Sequence, residues 1–213
     1  MDRSAEIVAA GAAARRVLDE KHRAREVALT ASRRTVQSCA AAIRAVHREE
    51  FGRADELIAE AATFVAKAEA ASAAHADVRQ AGYLNDAKKE FAEANMTLAF
   101  VRGDALPSPE ALGVEVPAYL NGMAEAASEL RRHLLDCLRA ERLDRAEDLL
   151  ATMDEVYSLL VTIDYPDALT GGLRRTTDAL RAVVERTRGD LTNAIVAARL
   201  RATIESSDDR FAG

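Results

Sequence analysis

Residues 83–132 read YLNDAKKEFAEANMTLAFVRGDALPSPEALGVEVPAYLNGMAEAASELRR, and this stretch decides the reading of the chain. Two helical segments flank a loop, and each carries a pair of carboxylates on one face. Glu90 and Glu93 stand three residues apart in KKEFAEANMTLAF, and Glu125 and Glu129 stand four apart in YLNGMAEAASELRR. Side chains at these spacings project from the same side of a helix. Four carboxylates from two facing helices would offer hard oxygen ligands to divalent cations. The intervening GDALPSPEALGVEV, residues 103–116, holds two prolines and two glycines and predicts a loop. Pro117 then suits a first helical turn, where a missing N–H is harmless.

Working outward, helical periodicity continues in both directions. Residues 3–48 predict one very long helix with Leu18, His22, Arg25, Leu29, Ser32, Val36, Cys39, Ile43 and Val46 on one face. Phe51 and Gly52 are expected to break it, and residues 55–73 predict a second helix. Residues 78–102 predict a third, with Gly82 inside it, and 117–140 a fourth. A corner at 141–143 leads to a fifth helix over 144–163, followed by the loop DYPDALTGG. The last helix, over 172–204, carries Leu173, Thr177, Leu180, Val184, Thr187, Leu191, Ala194 and Ala198 as a heptad-like seam. A frayed tail is expected over 206–213. No strand pattern appears. The fold class is therefore all-α: one domain over 1–213, a bundle of six to seven helices with long N- and C-terminal members.

Composition agrees with that reading. The 213 residues are 49% apolar but only 4% aromatic, without Trp, so Ala, Leu and Val supply thin, closely packing faces. A net charge of -6 excludes a global basic field, and any nucleic-acid partner must meet a local basic patch. Arg79, Lys88 and Lys89 flank the first acidic pair, and Arg131 and Arg132 lie beside the second; these are the candidate phosphate contacts. Arg139, Arg174, Arg175 and Arg181 are further basic residues that could line a cavity. Each acidic or basic residue, taken alone, also fits a solvated helix face. The two cysteines are far apart and form no metal motif, which suits a reducing cytosol. No basic-then-apolar leader opens the sequence, and no apolar run approaches the length of about 18 residues needed to span a bilayer. A cytoplasmic protein without a membrane partner is expected. His133 continues the Glu125–Glu129 spacing, but a carboxylate–histidine iron site needs a Glu-x-x-His pair on each of two helices, which this sequence lacks.

Tyr119, Leu120, Gly122, Glu129, Leu130 and Arg132 match the pattern YL-x-G-x-x-x-x-x-x-E-L-x-R, and LRRTTDALR at 173–181 begins the final helix. In these segments the chain resembles the translin family. The resemblance implies an all-α subunit that assembles into hollow homo-oligomers, octamers in that family, and binds single-stranded RNA or DNA. It also implies a choice between two branches, one a binding subunit and the other a Mg²⁺-dependent endoribonuclease, translin-associated factor X. The nuclease branch carries acids in segments of the form EYVEA and YLLGVADLTGELMR. EFAEA here aligns Glu90 and Glu93 with the first, and YLNGMAEAASELRR aligns Glu125 and Glu129 with the second, with glutamate at 125 where that branch has aspartate. The rival expectations are a non-catalytic nucleic-acid scaffold and a helical assembly protein with no nucleic-acid role.

Overall fold

The computed structural model describes residues 3–211, with side chains described through Ser206. Nine helices and no strand occur among the described residues: α1 Arg3–His47, α2 Phe51–Ser72, α3 Ala76–Arg79, α4 Gly82–Arg102, α5 Pro109–Leu112, α6 Val116–Arg139, α7 Leu143–Val161, α8 Asp167–Thr170 and α9 Leu173–Phe211. Six are long and three are single turns, so the six long members are those the periodicity predicts. The backbone is helical through Phe211; Ala212 and Gly213, the end of the expected tail, lie outside the described residues.

Two boundaries differ from expectation, each for a local reason, while the corner at 141–143 falls where it is expected. Gly52 does not break the chain: α2 begins at Phe51, and the corner is made by Glu49 in the left-handed region at φ 58°. Glu141 makes the equivalent corner after α6 at φ 56°. The expected helix over 78–102 is split, because α3 ends at Arg79 and Ala81 takes an extended conformation as the cap of α4. Gly82 is therefore the first residue of α4, with open space around it, and costs no interior helix stability.

The centre of the bundle is α4 and α6. Helix α4 packs on α1, α2 and α6, while α6 also packs on α7 and α9. Their shared core is built from Phe91, Met96, Leu98, Met123, Leu130 and Leu134, with many alanines between them. Small side chains let the helices approach closely, and Gly122 is the limit. A Cβ at that position would stand 2.8 Å from the Lys89 carbonyl oxygen and 2.9 Å from the Ala92 Cβ.

The loop before α6 is set by its turn chemistry. Gly103 ends α4 at φ 77°, a conformation that side chains disfavour, and its N–H bonds the Ala99 carbonyl. Ser108 caps α5 by accepting from the Ala111 N–H. The Tyr119 hydroxyl donates to the Pro107 carbonyl at 3.0 Å, which fixes the entry to α6.

Helices α1 and α9 extend beyond the shared core. On α1 the buried stripe starts only at Ala28, so Ile7, Val8, Val17 and Leu18 are exposed, against the expectation that Leu18 belongs to a packed face. On α9 the predicted seam is buried from Leu173 to Leu191, and Val196, Leu200 and Ile204 lie exposed past it. No helix among the described residues is long and apolar enough to cross a membrane.

Candidate metal centre

The close approach at Gly122 lays the second and third turns of α4 against α6 and brings the acids together. One carboxylate oxygen from each of Glu90, Glu93 and Glu125 lies within 4.8 Å of the others. The fourth predicted acid, Glu129, does not join this trio. It accepts from or shares a proton with His47 instead, with Oε2 2.7 Å from Nε2. It still lies close enough to Glu93 to raise that group's proton affinity.

Glu93 is the innermost of the three, 8% exposed, and makes no hydrogen bond among the described residues. Burial, followed by the charges of Glu90, Glu125 and Glu129, pushes its carboxyl up to about 8. Glu90 is also raised, chiefly by burial, and Lys89 partly offsets this. The same acids act on Cys39 of α1, whose thiol is pushed up to about 12 by burial and then by Glu90 and Glu93. This thiol is therefore unreactive near neutrality. Three converging oxygen donors, one of them a buried carboxyl that resists ionisation, form a set whose charge a cation would meet. Hard oxygen ligands suit Mg²⁺ or Mn²⁺.

One cation is already supplied by the chain. Lys89 Nζ donates to Glu125 at 2.7 Å and stands 3.7 Å from Glu90. Burial pulls this ammonium down, but the hydrogen bond and charge of Glu125, with Glu90 and Glu93, hold it above its ordinary value. Lys89, predicted as a phosphate contact, is thus turned into the acid cluster.

The other predicted basic contacts divide. Lys88 is a correction: it is 2% exposed and lies between Glu69 and Glu115, so it presents no face to a phosphate. Arg131 is half-buried and ties α6 to α9 through the Thr187 hydroxyl and Asp190. Arg132 is exposed and has no ion pair among the described residues. Arg79 is exposed and reaches Glu69 only at 3.4 Å. His133 is buried away from the acidic trio, and desolvation lowers its proton affinity. His47 was not singled out by the sequence reading. Its signal was its place four residues after Ile43, in the register of the buried stripe on α1, where an ionisable ring needs a partner.

Beside the trio lies a cleft of about 620 Å³, into which Lys89 and Glu125 also face. Its floor includes Asn121, whose amide donates to the Pro117 and Thr170 carbonyls and accepts from the Thr176 hydroxyl.

An all-α bundle that pairs carboxylates from two central helices is the class of protein defined here. No family model matches the chain. The fold is shared with AfC3PO, both in its crystal structure and in its complex with duplex RNA. The chain is 30% identical to that protein, with a TM-score of 0.77 over 86% of this chain and 95% of AfC3PO in the RNA complex. The crystal structure of apo-NeC3PO, at 17% identity, shows the same fold with a TM-score of 0.74 over 91% of this chain and 98% of that one. Uncharacterized protein MJ0175 of Methanocaldococcus jannaschii is 29% identical over 186 residues, 86% of this chain and 82% of that protein. The chain belongs to the translin family, of which the C3PO proteins are members.

Proposed function

We propose that this protein binds RNA and cleaves it as a metal-dependent endoribonuclease, with Mg²⁺ or Mn²⁺ held by Glu90, Glu93 and Glu125. The observation that carries this reading is the convergence of those three carboxylates on one point between α4 and α6. A divalent cation so held supplies Lewis acidity toward a phosphodiester oxygen and lowers the pKa of water. The protein's own groups do the rest. Glu93 releases its carboxyl proton as a cation is bound, because its elevated proton affinity reflects burial beside like charges. His47 holds the Glu129 carboxylate beside Glu93. Lys89, freed from Glu125 and Glu90, becomes a cationic contact for a phosphate.

The complex of AfC3PO with duplex RNA supports RNA as the ligand class here. Single-stranded RNA is the proposed substrate, as the family resemblance implies. The exposed apolar residues at the free ends of α1 and α9 support self-association into a homo-oligomer, as in the octamers the family resemblance implies. Two free, buried cysteines are compatible with a cytoplasmic setting.

A binding-only scaffold is favoured by one specific observation: Lys89 already neutralises part of the acidic trio without any metal. Purified protein incubated with end-labelled single-stranded RNA separates the two readings. The nuclease reading expects internal cleavage with Mg²⁺, none with excess EDTA, and a loss of about 100-fold or more in Glu93→Gln. Binding of the RNA with no cleavage in Mg²⁺ or Mn²⁺ would establish the scaffold.

A further inference from the structure

We propose that the cleft beside the acidic trio is a binding site for one unpaired nucleotide. Its volume of about 620 Å³ falls within the range of about 300–1,000 Å³ typical of small-molecule sites. It opens directly onto the trio, because Glu125 belongs to both and Lys89, which also lines the cleft, donates to Glu125. A nucleotide seated there would place the adjoining phosphodiester next to the carboxylates.

The cleft lining carries both signs of charge. Its acids are Asp86, Glu115 and Glu125, of which Glu115 is paired with Lys88 and Glu125 with Lys89. Its further cations are Arg79 from α3 and Arg175 from α9. Arg175 is exposed and has no ion pair among the described residues, so its guanidinium is free to take a phosphate or to lie flat on a base. Gln80 and Asn85 also face the cleft, are exposed, and make no side-chain hydrogen bond among the described residues. Each amide offers both a donor and an acceptor, which is what the edge of an unpaired base requires. Asn121, by contrast, has both amide N–H donors and one oxygen lone pair engaged within the protein and serves as a floor. A base in a duplex has its pairing edge occupied and both faces stacked, so it enters only when extruded. The cleft therefore selects strands with an unpaired nucleotide beside the cleavage point. That selection rests on the nuclease reading; the occupancy of the cleft by a nucleotide does not.

The test is calorimetric titration of the full chain, in EDTA, with AMP, GMP, CMP and UMP in turn. Saturable binding of at least one of them is expected, with affinity about tenfold weaker in each of Arg175→Ala and Asn85→Ala. Both residues are exposed, so the variants should fold, which their unchanged helical circular dichroism would verify. Absence of saturable binding for all four nucleotides, or binding that neither variant weakens, overturns the proposal. RNA cleavage by the wild type is scored separately. Cleavage without nucleotide binding rejects the cleft assignment alone, whereas nucleotide binding lost in the two variants upholds it even if no cleavage is seen.

Discussion

Gly122 on α6 lies against the backbone of α4 at Lys89, where an added methyl would stand 2.8 Å from the carbonyl oxygen. The same methyl would meet the Glu93 backbone nitrogen at 3.0 Å. The residues that crowd Gly122 are thus the carriers of the candidate site, and helix spacing and site geometry are one quantity. Gly122→Ala should force α4 and α6 apart, since neither backbone can yield locally. The expected cost is about 1–3 kcal/mol of stability, read from the urea midpoint. Metal affinity should fall with it, and a variant of wild-type stability would show that the contact relaxes freely.

Glu93 makes stability depend on pH in a defined direction. Its folded carboxyl is pushed up to about 8, against an ordinary value of 4.5. Between these values the unfolded chain loses the proton while the folded chain keeps it. Metal-free protein should therefore lose stability as pH rises from about 4.5 to 8 and level off above that. Glu93→Gln should flatten this part of the profile and melt higher than wild type at pH 8, with the difference vanishing near pH 4.5. Thermal melts in EDTA across this window provide the check.

Lys89 and a metal ion compete for the same oxygens. In Lys89→Met the carboxylates lose their ammonium partner, and affinity for Mn²⁺ should rise about fivefold, taking about 1 kcal/mol for a partly exposed pair. RNA affinity in the same variant should fall, because a cation that could reach a phosphate is gone. Fluorescence-detected Mn²⁺ titration and filter binding measure the two effects, and their opposite signs distinguish this role from general destabilisation.

Much of the architecture was legible because it is written in local pattern. The six long helices follow from apolar periodicity, the 103–116 loop from its prolines and glycines, and the buried seam of α9 from Leu173 through Leu191. Glu90, Glu93 and Glu125 were legible because i, i+3 spacing fixes a shared face and the family pattern names the facing helix. What was hidden depends on residues distant in sequence. Lys88 looks like a surface lysine until Glu69 from α2 and Glu115 from the loop close over it. Glu129 looks equivalent to Glu125 until His47, 82 positions away, takes its carboxylate. The break at Ala81 has no proline or buried glycine to announce it, and the bare first half of α1 carries the same periodicity as its buried half.

RNA binding should weaken steeply with salt. The chain carries a net charge of -6, so attraction must come from a few local cations such as Arg79, Arg132 and Arg175. The logarithm of the binding constant should fall linearly with the logarithm of salt concentration, and Arg132→Ala should reduce that slope by about 1 if it contacts a phosphate. An affinity indifferent to salt would place recognition outside these residues.

The central claim is that Glu90, Glu93 and Glu125 jointly hold one divalent cation, and electron paramagnetic resonance of Mn²⁺ tests it without reference to any substrate. Metal-free protein titrated with Mn²⁺ should quench the free-ion signal saturably, and Glu93→Gln or Glu125→Gln should weaken that binding by about tenfold or more. A wild-type protein that leaves the free-ion signal untouched, or variants that bind Mn²⁺ as the wild type does, would contradict the account.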